Sequence, residues 1–251
     1  MKRKIPRARL DNLVVARGLA SNAQKAQAMI LAGEVFVNGV RVSTSGAPIA
    51  EDALVEINSR EQRFASRGGF KLEGALRDFH VDPTGKMCLD IGSSTGGFTD
   101  CLLQHGATRV YAIDVTVDQI AWKLRQDARV VRIERNAREL SSRDIPEPVD
   151  LVTVDVSFIS AGKVLPPAAS VAKDDANFLI LVKPQFELGR EEIGAGGIVA
   201  DAALHEKAIS IVQQAATSAG LECLGTAQPS QLAGAEGNQE YFLHARKKSL
   251  R

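Results

Sequence analysis

The stretch CLDIGSSTGGFTDCLL, residues 88–103, decides how the chain is read. Cys88, Leu89, Asp90 and Ile91 form a short, mostly apolar run, suited to a strand buried on both faces. Gly92, Gly96 and Gly97 punctuate a polar turn, and apolar residues resume at helical spacing from Phe98. Strand, glycine turn and helix in that order open a doubly wound α/β unit. Gly92 lets the chain turn sharply, while Gly96 and Gly97 let a ligand approach the backbone. The N–H groups of the turn, at Ser93, Ser94 and Thr95, and the start of the helix favour a carboxylate or phosphate. The spacing is not G-x-G-x-x-G, and no Gly-Lys-Ser/Thr follows, which argues against a dinucleotide and against a P-loop.

Working outward, strand-like and helix-like segments alternate from Phe70 onward. The pattern predicts strands near 87–91, 109–113, 129–133, 150–155, 178–183, 221–227 and 239–245. It predicts helices near 70–79, 97–105, 117–125, 161–172 and 202–219. The last two strands have a short connection, which implies an antiparallel hairpin at one edge. Seven strands with that ending resemble the methyltransferase version of the Rossmann-like sheet. The strand RVYAID ends in Asp114, about twenty residues past the glycine loop, where an acid takes both hydroxyls of a ribose. Asn136, after the third strand, is at the depth for an adenine-edge contact. Asp90 through Phe98, Asp114 and Asn136 together describe a site for S-adenosylmethionine. Phe98 is a candidate pocket wall, and Trp122 is read as core.

Ligands of open α/β sheets sit outside the carboxyl ends of the strands. In NFLILVKPQFE, residues 177–187, an apolar run ends in Lys183, and Pro184 stops the ladder. Asp155 ends the preceding strand. Lys71 lies on the first turn of the helix that opens this domain, and Glu240 starts the last strand after Gly234 and Gly237. Lys71, Asp155, Lys183 and Glu240 make a chemically sensible set. A ribose hydroxyl is a weak nucleophile and must lose its proton to attack a methyl sulfonium. Lysine serves as the base only as the free amine, which burial and a second ammonium favour. The two carboxylates orient the two lysines. Lys183 is placed to take the proton.

The amino end is organised differently. Leu10, Leu13, Val14 and Arg17 have helical spacing closed by Gly18. Ser21 followed by Gln24 reads as a capping box for a second helix ending at Gly33. EVFVNGVRV alternates around Asn38-Gly39, a hairpin signal, and ALVEI offers a further strand. NSREQRFASRGG, residues 58–69, reads as the joint. The net charge of +1 hides an asymmetry, because residues 1–79 carry 13 Lys/Arg against 8 Asp/Glu. Lys2, Arg3, Lys4, Arg7 and Arg9 crowd the first nine positions, a polyanion-binding composition. Three widely spaced cysteines and four scattered histidines show no metal-ligand spacing and suit a reduced cytoplasmic protein. No apolar run reaches the ~18–20 residues that span a bilayer, and no secretory signal is read.

Two resemblances follow. RLDNLVVARGLAS…A…MILAGEVFVNG resembles the αL-type RNA-binding domain named after a ribosomal small-subunit protein. That implies Arg9, Arg17, Lys25 and Arg41 near RNA phosphates, although Asn22 stands where that family usually has a basic residue. The whole chain, through SRGGFKL, DIGSSTGGFTDCLLQHGA, WKLR, DVSFIS, LVKPQFE and GNQEYFLH, resembles the hemolysin-A-type (TlyA) rRNA methyltransferases. These join the αL-type domain to an FtsJ-like catalytic domain. The resemblance implies domains at 1–60 and 70–251 with a linker at 61–69. It also implies a Lys–Asp–Lys–Glu tetrad at Lys71, Asp155, Lys183 and Glu240, and 2′-O-methylation of cytidine in ribosomal RNA. Thr116–Asp118 departs from a pattern that usually holds glycines. The rival readings are a membrane-active cytolysin, a non-catalytic RNA-binding module and a small-molecule methyltransferase.

Overall fold

The computed structural model describes residues 6–57, 63–234 and 237–249, in two compact units that divide between Arg63 and Phe64. Lys2, Arg3 and Lys4 lie outside the described residues.

The first unit runs β1 (Arg7–Arg9), α1 (Leu10–Ala16), α2 (Ala23–Leu31), β2 (Val35–Val37), β3 (Val40–Arg41), β4 (Pro48–Ala50) and β5 (Val55–Ile57). β2 pairs antiparallel with β3 and β5, and β1 with β4. Leu10, Val14, Ala26, Ile30, Val35 and Val55 fill its core. Asn38 and Gly39 both have positive φ, 49° and 79°, as a two-residue hairpin turn requires. β1 and β4 are three residues each, too short to betray themselves by alternation. The expected Ser21–Gln24 capping box does not form. Asn22 is the cap, and its side chain accepts from Lys25 N at 2.8 Å. The short acceptor at position 22 does what a basic side chain there could not.

The second unit is an α/β sandwich. Its elements are α3 (Gly68–Asp78), β6 (Met87–Ile91), α4 (Gly97–Gln104), β7 (Arg109–Asp114), α5 (Trp122–Arg125), β8 (Val130–Glu134), β9 (Val149–Val154), α6 (Leu165–Val171), β10 (Ala172–Val182), α7 (Pro184–Glu187), α8 (Ala202–Ser218), β11 (Leu221–Cys223), β12 (Gln228–Pro229) and β13 (Tyr241–Lys247). Among the described residues the sheet has eight strands, ordered β11-β13-β10-β9-β6-β7-β8, with β12 beside β13. The strands from β10 to β8 are parallel, and β13 is antiparallel to both β10 and β11. The last strand is therefore inserted inside the edge rather than forming it. Side chains alternate across the sheet. Leu89, Ile91, Val152, Val154, Phe178 and Ile180 pack on one face with α6 and α8. Cys88, Leu151, Leu179, Leu181 and Phe242 pack on the other with α3 and α4.

Several boundaries differ from the sequence reading. The helix expected over 117–125 is only Trp122–Arg125. Val115, Thr116 and Val117 are β-branched, which disfavours a helix. The segment is also pinned from outside, since Asp114 accepts from Thr116 N and Ala121 N donates to Thr95 O. Trp122 is 72% exposed, not core. The helix expected over 161–172 is a 3₁₀ turn at Ala161–Lys163 followed by α6, with prolines at its first positions. The strand expected over 221–227 ends at Cys223, and a separate two-residue strand follows at Gln228–Pro229.

Residues 64–69, read as linker, belong to the second unit. Phe64 is fully buried and meets the Phe70 ring edge-on at 5.0 Å. Ala65 N donates to Asp100 Oδ2 at 2.6 Å. A Cβ on Gly69 would fall 2.3 Å from Phe64, so the glycine admits the ring. Burying such a ring contributes about 2–3 kcal/mol, which a free linker would forgo. Among the described residues no helix is long and apolar enough to cross a membrane.

Candidate active site

Two strand registers bring three of the charged side chains to one rim. β9 and β10 run parallel with Val154 beside Ile180, so both end on the same side of the sheet. Asp155 follows β9 directly, and Lys183 follows β10. β13 runs antiparallel to β10 with Tyr241 opposite Val182; continuing by one residue sets Glu240 opposite Lys183. Pro184 opens α7 and ends the ladder there. Lys71 comes from the first turn of α3.

The four side chains form two ion pairs. Lys183 Nζ lies 2.5 Å from Asp155 Oδ1, and Lys71 Nζ lies 2.5 Å from Glu240 Oε2. The Lys183 Nζ also donates to Ser157 Oγ at 3.0 Å. Each lysine side chain is only 11% exposed, and Glu240 only 3%. Charges this buried are tolerated when paired, and removing one partner of such a pair costs about 3–5 kcal/mol. Gly234 has no side chain for a reason, since a Cβ there would lie 2.7 Å from Glu240 Oε1.

Two clefts open at this rim. The smaller, about 180 Å³, is lined by Arg67, Lys71, Ser93, Thr95, Phe98 and Asp155, among others. The larger, about 350 Å³, is lined by Asp114, Gln119, Asn136, Asp155, Ser157 and Phe158, among others. Gly92, Ser94 and Asp155 border both. An elongated ligand lying over Asp114 at one end therefore reaches Lys71 and Asp155 at the other. Gly92 has φ +84°, and a Cβ on it would strike Asp155 O at 2.1 Å. The turn is thus pressed onto the residue that joins the clefts. Asp114 accepts from Ser94 N at 2.9 Å and from Thr116 N at 3.2 Å, which fixes its carboxylate while leaving lone pairs for further donors. The Asn136 Oδ1 accepts from Arg138 N, capping a 3₁₀ turn at the edge of the larger cleft. Ser93 is 3% exposed, and its Oγ has no hydrogen-bond partner among the described residues, so a polar atom of a ligand in the smaller cleft would satisfy it.

Gly97 lines the smaller cleft and is also a packing position, because a Cβ there would sit 2.2 Å from Ser66 Oγ and 3.0 Å from Gly69 N. One expectation for the loop changes. Asp90 borders neither cleft. It is fully buried inside β6 and accepts from Thr99 Oγ1 at 2.6 Å and Thr153 Oγ1 at 3.0 Å, tying α4 and β9 to the central strand. Burial pushes its carboxyl up to about 6, against the pull of the two threonine hydroxyls.

The sequence reading passed over two neighbours of Asp155. Phe158 is 88% exposed at the lip of the larger cleft, has φ +67°, and stands 5.3 Å from the Phe186 ring. A bulky residue held in the left-handed region beside a site is a signal that only coordinates give. Ser157 is the other. Among the described residues no group of His, Cys, Asp and Glu is arranged to hold a metal.

In the first unit, Arg7 and Lys25 are exposed, and neither makes a side-chain hydrogen bond within the described residues. The other three basic candidates are tied to their own fold. Arg9 pairs with Asp11 at 2.6 Å, Arg17 donates to Ala53 O and Glu51 O at 2.7 and 2.6 Å, and Arg41 donates to Ala32 O at 3.3 Å.

Comparison with known proteins agrees with this division. Residues 64–247 match the FtsJ-like methyltransferase family, and residues 8–55 match the S4 domain. The chain is 44% identical over 242 residues to the 16S/23S rRNA (cytidine-2'-O)-methyltransferase TlyA of Mycobacterium tuberculosis, covering 96% of this chain and 90% of that protein. It is 42% identical over 239 residues to the protein named Hemolysin A of Brachyspira hyodysenteriae, covering 94% and 98%. A solved Streptococcus thermophilus protein called a hemolysin superposes with a TM-score of 0.76 at 38% identity, over 98% of this chain and 90% of that one.

The raised Asp90 carboxyl makes a signed prediction. A carboxyl raised in the fold binds its proton more tightly there than in the unfolded chain, so the fold loses stability as pH climbs through about 6. Asp90→Asn removes that loss. Its stability relative to the parent should rise by about 1 kcal/mol between pH 5 and pH 7.5 in urea unfolding. A difference that does not change with pH would contradict the assignment.

Proposed function

The chain belongs to the TlyA/hemolysin A-type rRNA methyltransferases, and we propose that it methylates the ribose 2′-hydroxyl of a cytidine in ribosomal RNA, using S-adenosylmethionine. The observation that carries the reading is the pair of buried lysine–carboxylate contacts at the rim where the two clefts meet.

The residues present fit the cofactor. Asp114 and Asn136 in the larger cleft suit ribose hydroxyls and an adenine edge. Ser93, Ser94 and Thr95, with the buried Ser93 Oγ, suit the polar amino-acid end in the smaller cleft. When bound, the cofactor would supply an electrophilic methyl on a sulfonium.

The chain's own residues do the rest. Lys183, once its resting ammonium has released a proton to solvent, takes the proton of the 2′-hydroxyl as that oxygen accepts the methyl. The proton stays on Lys183 as an ammonium, opposite Asp155. Lys71, held by Glu240, keeps a second cation at the acceptor side of the same cleft. Phe158 offers an exposed ring face on which a splayed base can stack. Alignment of these groups supplies much of the rate. The S4 unit supplies backbone affinity through Arg7 and Lys25, whose charges are not spent within the fold. Ribosomal RNA or a ribosomal subunit is then the partner, and the cytoplasm the site of action.

Lys183→Ala should lower transfer of labelled methyl to rRNA by at least about 100-fold, while calorimetric affinity for S-adenosylmethionine stays within about twofold. Equal loss of both would make Lys183 structural. Arg7→Ala combined with Lys25→Ala should raise KM for RNA and lower the salt slope of RNA binding by about 1–2 at unchanged kcat. An unaltered slope would remove the S4 unit from docking.

A further inference from the structure

Lys183 has a second partner that the reaction set out above does not use. Its Nζ lies against Asp155 Oδ1 and also donates to Ser157 Oγ at 3.0 Å. An ammonium carries three N–H donors, and the amine left after losing one proton carries two N–H bonds and a lone pair. Ser157 Oγ accepts from this nitrogen, and Asp155 Oδ1 lies beside it as an ion-pair partner without a directed hydrogen bond. Among the described residues no other acceptor is bonded to this nitrogen. The hydroxyl is therefore the directional contact that fixes one N–H bond, and the carboxylate beside it narrows the directions left to the lone pair. With the Asp155 ion pair alone, the group would turn freely and the lone pair would sweep a cone.

The surroundings show what Ser157 adds. The charged groups grouped with Lys183 are Asp155 after β9, Glu240 opposite Lys183 in the β10–β13 register, and Lys71 from α3 on Glu240, while Arg67 lines the smaller cleft and Asp114 and Arg135 the larger. Ser157 is the uncharged member of the set, so it alters geometry without altering charge balance. It borders the larger cleft, shared with Asp155. The next residue, Phe158, is held at φ +67°, so the backbone carrying the hydroxyl is constrained on its carboxyl side.

We propose that Ser157 is a positioning residue: its hydroxyl, with Asp155, orients the Lys183 amine so that the lone pair faces the acceptor hydroxyl. This rests on the methyl-transfer reading above. Methyl transfer itself is unchanged. The proton passes from ribose oxygen to Lys183 nitrogen, and Ser157 only accepts a hydrogen bond throughout.

The test uses the intact protein with Ser157→Ala, Ser157→Thr and Lys183→Ala in parallel. Ser157 is exposed, so its substitution should leave the fold intact. Ser157→Ala should lower kcat by about 10-fold, with KM for RNA and the calorimetric Kd for S-adenosylmethionine within about twofold. Ser157→Thr, which keeps the hydroxyl, should return kcat to within about threefold of the parent. Independently of activity, the side-chain ¹⁵N NMR signal of Lys183 should be sharp in the parent and in Ser157→Thr, and broadened in Ser157→Ala. If Ser157→Ala keeps the parent kcat while Lys183→Ala is inactive, the positioning role is overturned and the methyl-transfer reading stands. If Ser157→Ala loses cofactor affinity in step with kcat, Ser157 serves the cofactor and the proposal falls. If Lys183→Ala transfers methyl at the parent rate, the reading of Lys183 as base fails, and the proposal with it.

Discussion

The register of three neighbouring strands is the constraint on which everything else depends. β9, β10 and β13 are hydrogen-bonded side by side, and their pairing fixes Asp155, Lys183 and Glu240 at one rim to within a residue. A slip of one residue in either pairing would turn Lys183 or its partner to the other face of the sheet. The apolar runs prevent that slip. Phe178 and Ile180 fill one core while Leu179 and Leu181 fill the other, so the strand has no alternative seating that keeps both faces dry. The geometry of this rim thereby follows from ordinary core packing. The insertion of β13 between β10 and β11 completes the arrangement, because only an antiparallel neighbour can present its first residue where β10 presents its last.

Charge neutrality explains why such a rim is stable. Two nearly buried ammonium groups without partners would each cost several kcal/mol. Each has a carboxylate at 2.5 Å instead. The glycines serve the same end. Gly234 makes room for Glu240, and Gly92 lets the glycine turn lie against Asp155. The glycine turn and the tetrad are therefore one mechanical unit, which is why the two clefts share a border.

Much of this was legible in the sequence, and the reasons are specific. The strand ending in Lys183-Pro184 announces itself, because an apolar run that stops at a cation and a proline has few other uses. The strand–turn–helix at 88–103 is equally plain. What escaped was set by tertiary contact. Asp90 stands at the carboxyl end of a strand, as a ligand-binding acid would, yet Thr99 and Thr153 claim both its oxygens. Gly97 borders the smaller cleft, and its missing side chain also makes room for Ser66, a contact that spacing does not encode. Trp122 has the composition of a core residue, but its helix shrank to four residues once Thr95 and Asp114 pinned the segment before it. Phe64 was lost in a polar joint because a single aromatic has no periodicity. Ser157 and Phe158 were read only as the tail of a strand motif; their roles depend on a hydroxyl direction and a backbone angle that spacing does not encode.

The most direct test of the account is the identity of the methylated nucleoside. Ribosomal subunits lacking the modification would be treated with the protein and S-adenosylmethionine, and their RNA digested and analysed by nucleoside mass spectrometry. The account predicts added 2′-O-methylcytidine, with resistance to alkaline cleavage at the modified position. A methyl group on a base, or none despite measured cofactor binding, would contradict the claim that this rim of lysines and carboxylates activates a ribose hydroxyl.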